Sequence, residues 1–175
     1  MNNLAKTVFL LFFCAFFGNS QASPVTLIGS SVSYTFDDAL LGLFGTPTLT
    51  GGDSLFFSPT AFNAMSDSGV DFASSTMNIE VNALNGGTIN TVNLTEGGSY
   101  FTLGDGDVGV RGLLRVTDLG SSSGQVTNPL NVIPDSDDGL WSKGSVVDFA
   151  SFTATSIRIT LQNMLFANAG DDEGF

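Results

Sequence analysis

The chain contains no histidine, and its one cysteine lies in an apolar segment near the N-terminus. Without histidine, a Ser-His-Asp triad, a Cys-His pair and the commonest zinc ligand are all excluded. A single cysteine forms no internal disulfide, so packing alone has to stabilise the fold. These absences remove the most frequent hydrolytic machinery and favour a non-enzymatic protein.

Positive charge is also scarce. The 175 residues include 5 Lys and Arg against 17 Asp and Glu, which gives a formal net charge of −12. Such an acidic surface repels phosphate backbones and anionic lipid, so we expect neither a nucleic acid partner nor a membrane-surface partner. After the N-terminal segment there is no run of about 20 apolar residues, so we predict no membrane span in the mature chain.

Residues 1–22 have the parts of a secretory signal peptide. Lys6 supplies the positive start, Val8–Phe17 is the apolar stretch, and small residues precede the end of the segment at Ala22. We therefore predict cleavage after Ala22, secretion, and a single extracellular domain over residues 23–175. Cleavage would remove the cysteine, and the loss of Lys6 would take the net charge from −12 to −13.

The mature chain has the sequence pattern of β-strands. Apolar and polar residues alternate, as in half-buried strands, at Val32–Phe36, Met77–Ala83, Val108–Thr117 and Ile157–Gln162. Asn85-Gly86 predicts a type I′ hairpin turn, Glu96-Gly97-Gly98 a turn, Pro129–Gly139 an irregular loop, and Pro59–Met65 a short helix. We expect an all-β fold, an antiparallel and jelly-roll-like β-sandwich of roughly eight or nine strands.

Carboxylates are the main remaining catalytic option. A pair about 5–10 Å apart hydrolyses glycosides, but nearly all the acidic residues lie in Gly- or Ser-rich turns. Glu80 alone is mid-strand, and there it lies on the polar face. Lys143 next to Ser142 would need burial to lose its proton, and we expect it in a Gly-bounded loop, which does not predict burial. We therefore assign no catalytic residue and expect no enzyme.

The spacing GxGxxG occurs at Gly104–Gly109. A dinucleotide-binding motif opens a helix, whereas here a predicted strand follows. Two aspartates inside the motif would also repel the phosphates. We interpret the segment as an acidic turn.

The acidic loop offers a candidate metal site. Asp135, Asp137 and Asp138 are spaced as in the first half of a calcium loop. An EF-hand would place a glutamate where Val146 stands, so the segment is not an EF-hand. Two interpretations stay open: a structural calcium bound by these three aspartates, or acidic turn residues without metal. The Asp105–Asp107 turn is a weaker candidate of the same kind.

Trp141 is the single tryptophan of the chain. Two interpretations again stay open. An exposed Trp141 would stack on a sugar and bind ligand, whereas a buried Trp141 would anchor the neighbouring acidic loop to the core.

Several segments resemble the bacterial PEP-CTERM proteins, a group of exosortase-sorted secreted exoproteins. They are Pro47–Thr60, Asn93–Tyr100, the strand Ile157–Leu161 and the following Met164–Asn168. The resemblance implies an extracellular β-sandwich of the envelope or exopolysaccharide matrix, and no catalytic residues. The sorting tail of this group, a Pro-Glu-Pro motif with an apolar helix and a basic end, does not occur before Phe175. We therefore expect either a freely secreted protein or a truncated sequence.

Together these observations predict a non-enzymatic, secreted structural protein of the extracellular matrix, associated with the envelope or with exopolysaccharide. Its expected partners are extracellular polysaccharides or matrix proteins. A carbohydrate-binding module that uses Trp141 or Tyr100 is the alternative, and a glycoside-acting enzyme is the third option. No cofactor is expected, and a structural calcium is one of the two interpretations left open for the acidic loop.

Overall fold

The computed structural model describes residues 23–102, 106–120, 124–133, 138–148 and 154–170, so the predicted signal peptide lies outside the described residues. Ten strands run through this part of the chain. In chain order they are β1 (Pro24–Ile28), β2 (Val32–Asp37), β3 (Thr48–Thr50), β4 (Ser54–Phe56), β5 (Val70–Ala83), β6 (Thr91–Phe101), β7 (Asp107–Asp118), β8 (Gln125–Pro129), β9 (Asp138–Asp148) and β10 (Ser156–Asn168). The predicted all-β, antiparallel class is confirmed.

Six strands form the main sheet, in the order β1-β2-β5-β10-β7-β8, with every pair antiparallel. β10 is its central strand. It pairs along its whole length with β5 on one side and over almost the same length with β7 on the other. These long ladders join β5, β10 and β7 into one continuous hydrogen-bonded platform.

Two small sheets, β3–β4 and β6–β9, pack on one face of the main sheet. The core between the layers is apolar, and its most deeply buried side chains are Leu41, Leu114, Val116, Leu130, Val147 and Ile157. Within the described residues no ladder joins β6–β9 to the main sheet, so the sandwich is open at this side. The Asn128 side chain of β8 links the two layers here: its Nδ2 donates to the Val146 carbonyl at 3.0 Å and to Ser145 Oγ at 3.2 Å.

The Asn85-Gly86 turn has the predicted backbone but connects different strands from those expected. Asn85 and Gly86 have φ of 54° and 73°, the positive values of a type I′ turn. The chain beyond the turn does not pair with β5. Ile89 forms an isolated bridge with Ala154, and β6 then pairs with β9 in the other layer. The turn therefore carries the chain from one layer to the other.

Three local predictions are wrong. Pro59–Met65 forms no helix. Instead Phe62 packs edge-on against Phe44 with ring centroids 5.3 Å apart, and so short a segment has little helical stability of its own to oppose this contact. Glu96-Gly97-Gly98 lies inside β6 rather than in a turn, and Lys143 lies inside β9 rather than in a loop. Pairing between these two strands overrides the turn propensity of their glycines.

Helical structure between β2 and β3 is limited to two single turns, Asp38–Leu40 and Gly42–Phe44. No helix in the described part of the chain has the length and apolar character needed to cross a membrane.

Candidate functional site

The main sheet has one covered and one open face, and β10 shows the division most clearly. Ile157, Leu161 and Asn163 point into the layered core, where each is buried. The residues that alternate with this set, such as Arg158 and Gln162, lie on the outer face, and these two are exposed. This alternation follows from the two-residue period of a strand, and it separates the chemistry of the two faces.

The outer face carries a groove of about 290 Å³ across β5, β10 and β7. β5 contributes Val70 and Phe72, β10 contributes Met164, Phe166 and Asn168, and β7 contributes Asp107 and Arg111. The register brings these residues together, since Phe72 pairs with Phe166, and Asn168 pairs with both Val70 and Asp107. The groove thus combines an apolar floor with a polar rim.

The two aromatic rings of the groove differ in exposure. Phe72 is 65% exposed, and its neighbour Val70 is 66% exposed. Phe166 is half-buried, because its ring lies against the backbone of Gly109. A Cβ at Gly109 would stand 2.6 Å from the ring, so a larger residue there would have to displace the Phe166 ring. The guanidinium of Arg111 lies 5.2 Å from the Phe166 centroid, within cation–π range.

The rest of the outer face is polar. Arg158 Nη2 lies 2.6 Å from Glu80 Oε1, and Thr160 Oγ1 donates to Asn78 Oδ1 at 2.7 Å. Both partners of the ion pair are nearly half exposed, so the pair contributes about 0–1 kcal/mol to stability. Register and alternation place Arg111, Arg115 and Arg158 on this face. Three of the five basic residues of an acidic chain therefore lie on one sheet face.

A half-buried glutamate with one fully buried carboxyl oxygen lies on the opposite side of the main sheet. Glu96 of β6 accepts a 2.8 Å hydrogen bond at Oε1 from Nδ2 of Asn163 in β10. Burial raises the pKa of Glu96, and the hydrogen bond from Asn163 opposes the shift only in part. Glu96 Oε2 and Asn163 Oδ1 are both buried without a hydrogen-bond partner. When Glu96 is ionised, both of these oxygens are acceptors, so neither can donate to the other. Protonation of Glu96 would supply the missing donor in this contact between the layers.

Asp53 serves a structural purpose at one end of the molecule. It accepts from the backbone N–H of Ser31 at 2.9 Å and from Ser31 Oγ at 2.6 Å, and its carbonyl accepts from the Tyr34 hydroxyl. The Ser31 hydrogen bonds hold the pKa of this exposed carboxyl below its ordinary value. Asp53 thereby joins the β3–β4 turn to the β1–β2 turn.

The predicted calcium ligands lie mostly outside the described residues. Asp135, Asp137 and Asp105 are not described, and of Asp138 only the backbone is, at the start of β9 opposite Phe101. Asp107 lines the outer groove. The described segments hold no group of three or more His, Cys, Asp or Glu side chains that could bind a metal. The calcium site stays a prediction.

Trp141 lies in β9, half-buried and paired with Gly98 of β6. Its indole lies over that glycine, where a Cβ would be 2.7 Å from Nε1. The sheet that carries Trp141 packs on the covered face of the main sheet, so Trp141 and the groove belong to different layers. Its role in ligand binding stays a prediction.

The sequence predictions did not include the groove. The sequence feature that marks the groove is an apolar residue at a strand position where the alternation calls for a polar one, as at Phe72 and Phe166. The comparisons with known proteins add nothing to this geometry, because no protein-family model, curated protein or solved structure matches the chain.

Proposed function

We propose that this chain is a secreted, non-enzymatic protein of the extracellular matrix that binds polysaccharide through the outer face of its main sheet. The observation that carries the proposal is the groove across β5, β10 and β7, which presents exposed aromatic and aliphatic surface beside polar side chains. Concave sites that combine apolar lining with a few polar groups are the usual form of a binding site. The predicted signal peptide and the resemblance to matrix-associated exoproteins fit this role.

The chemistry of the groove favours binding over hydrolysis. Among the described residues that line it, Asp107 is the one carboxylate, whereas glycoside hydrolysis uses two facing carboxyl groups. Glu96 has the raised pKa of a general acid, but its partner Asn163 lies on the covered face of the main sheet. The only carboxyl with a raised pKa among the described residues is thus separated from the groove by the sheet itself.

The rigidity of the platform suits a structural role. The three strands that carry the groove share continuous ladders, so binding there orders little additional backbone and loses little entropy. The acidic remainder of the chain keeps the protein soluble and limits self-association.

The test uses the mature chain, residues 23–175, with a panel of insoluble and soluble polysaccharides. Co-sedimentation and affinity electrophoresis measure binding, and release of reducing sugar measures hydrolysis. We expect retention on at least one polysaccharide and no sugar release. The proposal would be overturned by efficient hydrolysis. It would also be overturned if the protein bound no member of a panel that includes neutral and acidic polymers.

A further inference from the structure

We propose that the groove selects uncharged sugar rings, so that its ligand is a neutral polysaccharide in which Phe72 stacks on the apolar face of one ring. This inference rests on the proposed function and names the substrate class of the same site. It follows from which groove surfaces are free, from the hydrogen-bonding groups around them, and from the distribution of charge.

Phe72 is the ring available for stacking. The ring of Phe166 already has the Gly109 backbone on one side and the guanidinium of Arg111 within 5.2 Å of its centroid. Phe72 pairs with Phe166 across the β5–β10 ladder and remains 65% exposed. With Val70 next to it on the same face, it offers a flat apolar surface to the C–H groups of a pyranose ring.

Polar groups surround this surface in a set that matches hydroxyl groups. Asp107 and Asn168 are directly paired across β7 and β10, and Arg111 lies on the same face of β7. The carboxylate accepts hydrogen bonds, the guanidinium donates them, and the amide does both. Sugar hydroxyls both donate and accept, so they satisfy all three groups at once.

Charge argues for a neutral ligand. Among the described lining residues the charges of Asp107 and Arg111 cancel. Farther along the face Arg158 is paired with Glu80 at 2.6 Å, and Arg115 lies outside the groove lining. The chain as a whole carries −12. A polyuronate or sulfated glycan would therefore approach a repulsive protein and find a groove with no net positive charge. A neutral polymer meets no such penalty.

The test compares two exposed phenylalanines. Phe72 in the groove and Phe101 at the end of β6 are each 65% exposed, so Phe101→Ala is a matched control for Phe72→Ala. We expect Phe72→Ala to weaken binding to a soluble neutral glucan about tenfold or more, since stacking buries most of one aromatic ring. Phe101→Ala is expected to bind as the parent does, and Phe72→Trp, which offers a larger ring, to bind more tightly.

A second arm compares ligands on the unaltered mature protein. Neutral glucans and polygalacturonate of similar length are measured at the same ionic strength, and the neutral polymers are expected to bind more tightly. If polygalacturonate binds better, or if Phe72→Ala and Phe101→Ala have equal affinities, this inference fails while polysaccharide binding stands. If the unaltered protein binds neither class, the proposed function itself fails. Unchanged unfolding midpoints of the variants exclude misfolding as the cause.

Discussion

Nδ2 of Asn163 donates a 2.8 Å hydrogen bond to Oε1 of Glu96 and so links the central strand of the main sheet to the second layer. The other oxygen of each group is buried and unpartnered. Gly112 pairs with Asn163 in the ladder, and a Cβ at this glycine would overlap the Asn163 amide oxygen. A carboxyl, an amide and a glycine from three strands therefore form one polar contact inside an otherwise apolar core.

The first prediction concerns the protonation of Glu96. Burial raises its pKa in the folded protein, so the folded state binds the proton more tightly than the unfolded state does. Its contribution is complete below the ordinary pKa of 4.5 and is lost as pH rises through the raised folded value. Glu96→Gln supplies a neutral amide that donates and accepts, so we expect this variant to be more stable than the parent at pH 7, by about 1 kcal/mol.

Urea unfolding of both proteins from pH 4 to pH 8 measures this effect. The difference between the two should be small at pH 4 and grow toward pH 7. Subtraction removes the pH dependence shared with the other carboxylates. Lys143, which pairs with Glu96 across β6 and β9, is the basic group nearest in register, so Lys143→Met is the control for its influence. A difference independent of pH would show that Glu96 has the same pKa in the folded and unfolded states, and would contradict this prediction.

The second prediction tests the amide. Asn163→Ala leaves both oxygens of a buried carboxyl without a donor, so we expect a loss of about 1–3 kcal/mol at pH 7. Gln162→Ala changes the adjacent, exposed residue of the same strand and should shift stability by about 0.5 kcal/mol or less. Equal losses in the two variants would mean that the contact between the layers contributes nothing.

The alternation of apolar and polar residues predicted the faces of β5, β7 and β10, because a strand with one covered face has a strict two-residue period. It did not predict which strands pair. Asn85-Gly86 has the backbone expected of a hairpin turn, yet β6 pairs with β9, which the sequence places far away. Gly98 was predicted to lie in a turn because its turn propensity is all that the local sequence shows. The Trp141 indole that lies over Gly98 comes from another strand.

The candidate site was less predictable than the fold for the same reason. Phe72 and Phe166 are far apart in sequence and meet only through the β5–β10 register, which no local pattern specifies. The burial of Glu96 could not be predicted either, since Asn163 and Gly112, which form its surroundings, belong to two other strands. Local propensity describes one strand at a time, whereas both sites exist only between strands.

The third prediction uses two glycines of the strands. A Cβ at Gly112 would overlap the Asn163 amide oxygen and the Gln162 carbonyl, and the second of these is backbone that cannot move aside. We expect Gly112→Ala to cost about 1–3 kcal/mol through overpacking. Gly144 in β9 has its nearest neighbour at 3.9 Å, so Gly144→Ala is a matched control that should fold normally. Thermal unfolding distinguishes the two, and a Gly112→Ala protein as stable as its control would contradict the packing described.

The fourth prediction concerns Asp53, which joins the two turns at one end of the molecule. The hydrogen bonds from Ser31 lower its pKa, so its contribution to stability is present above the ordinary pKa of 3.8 and is lost as pH falls through the lowered folded value. Asp53→Asn removes the charge and replaces one acceptor oxygen with a donor, so we expect a lower urea midpoint at pH 7 and a smaller deficit near pH 2.

Asp67 is an exposed residue, and Asp67→Asn serves as the control for a general loss of negative charge. Because the chain carries −12, removing one repulsive charge by itself should leave the urea midpoint at pH 7 unchanged or slightly higher. At pH 7 only Asp53→Asn is thus expected to lower the urea midpoint, and the two variants should converge where the Asp53 carboxylate is protonated. Parallel behaviour of the variants across this range would mean that the hydrogen bonds from Ser31 do not stabilise the fold.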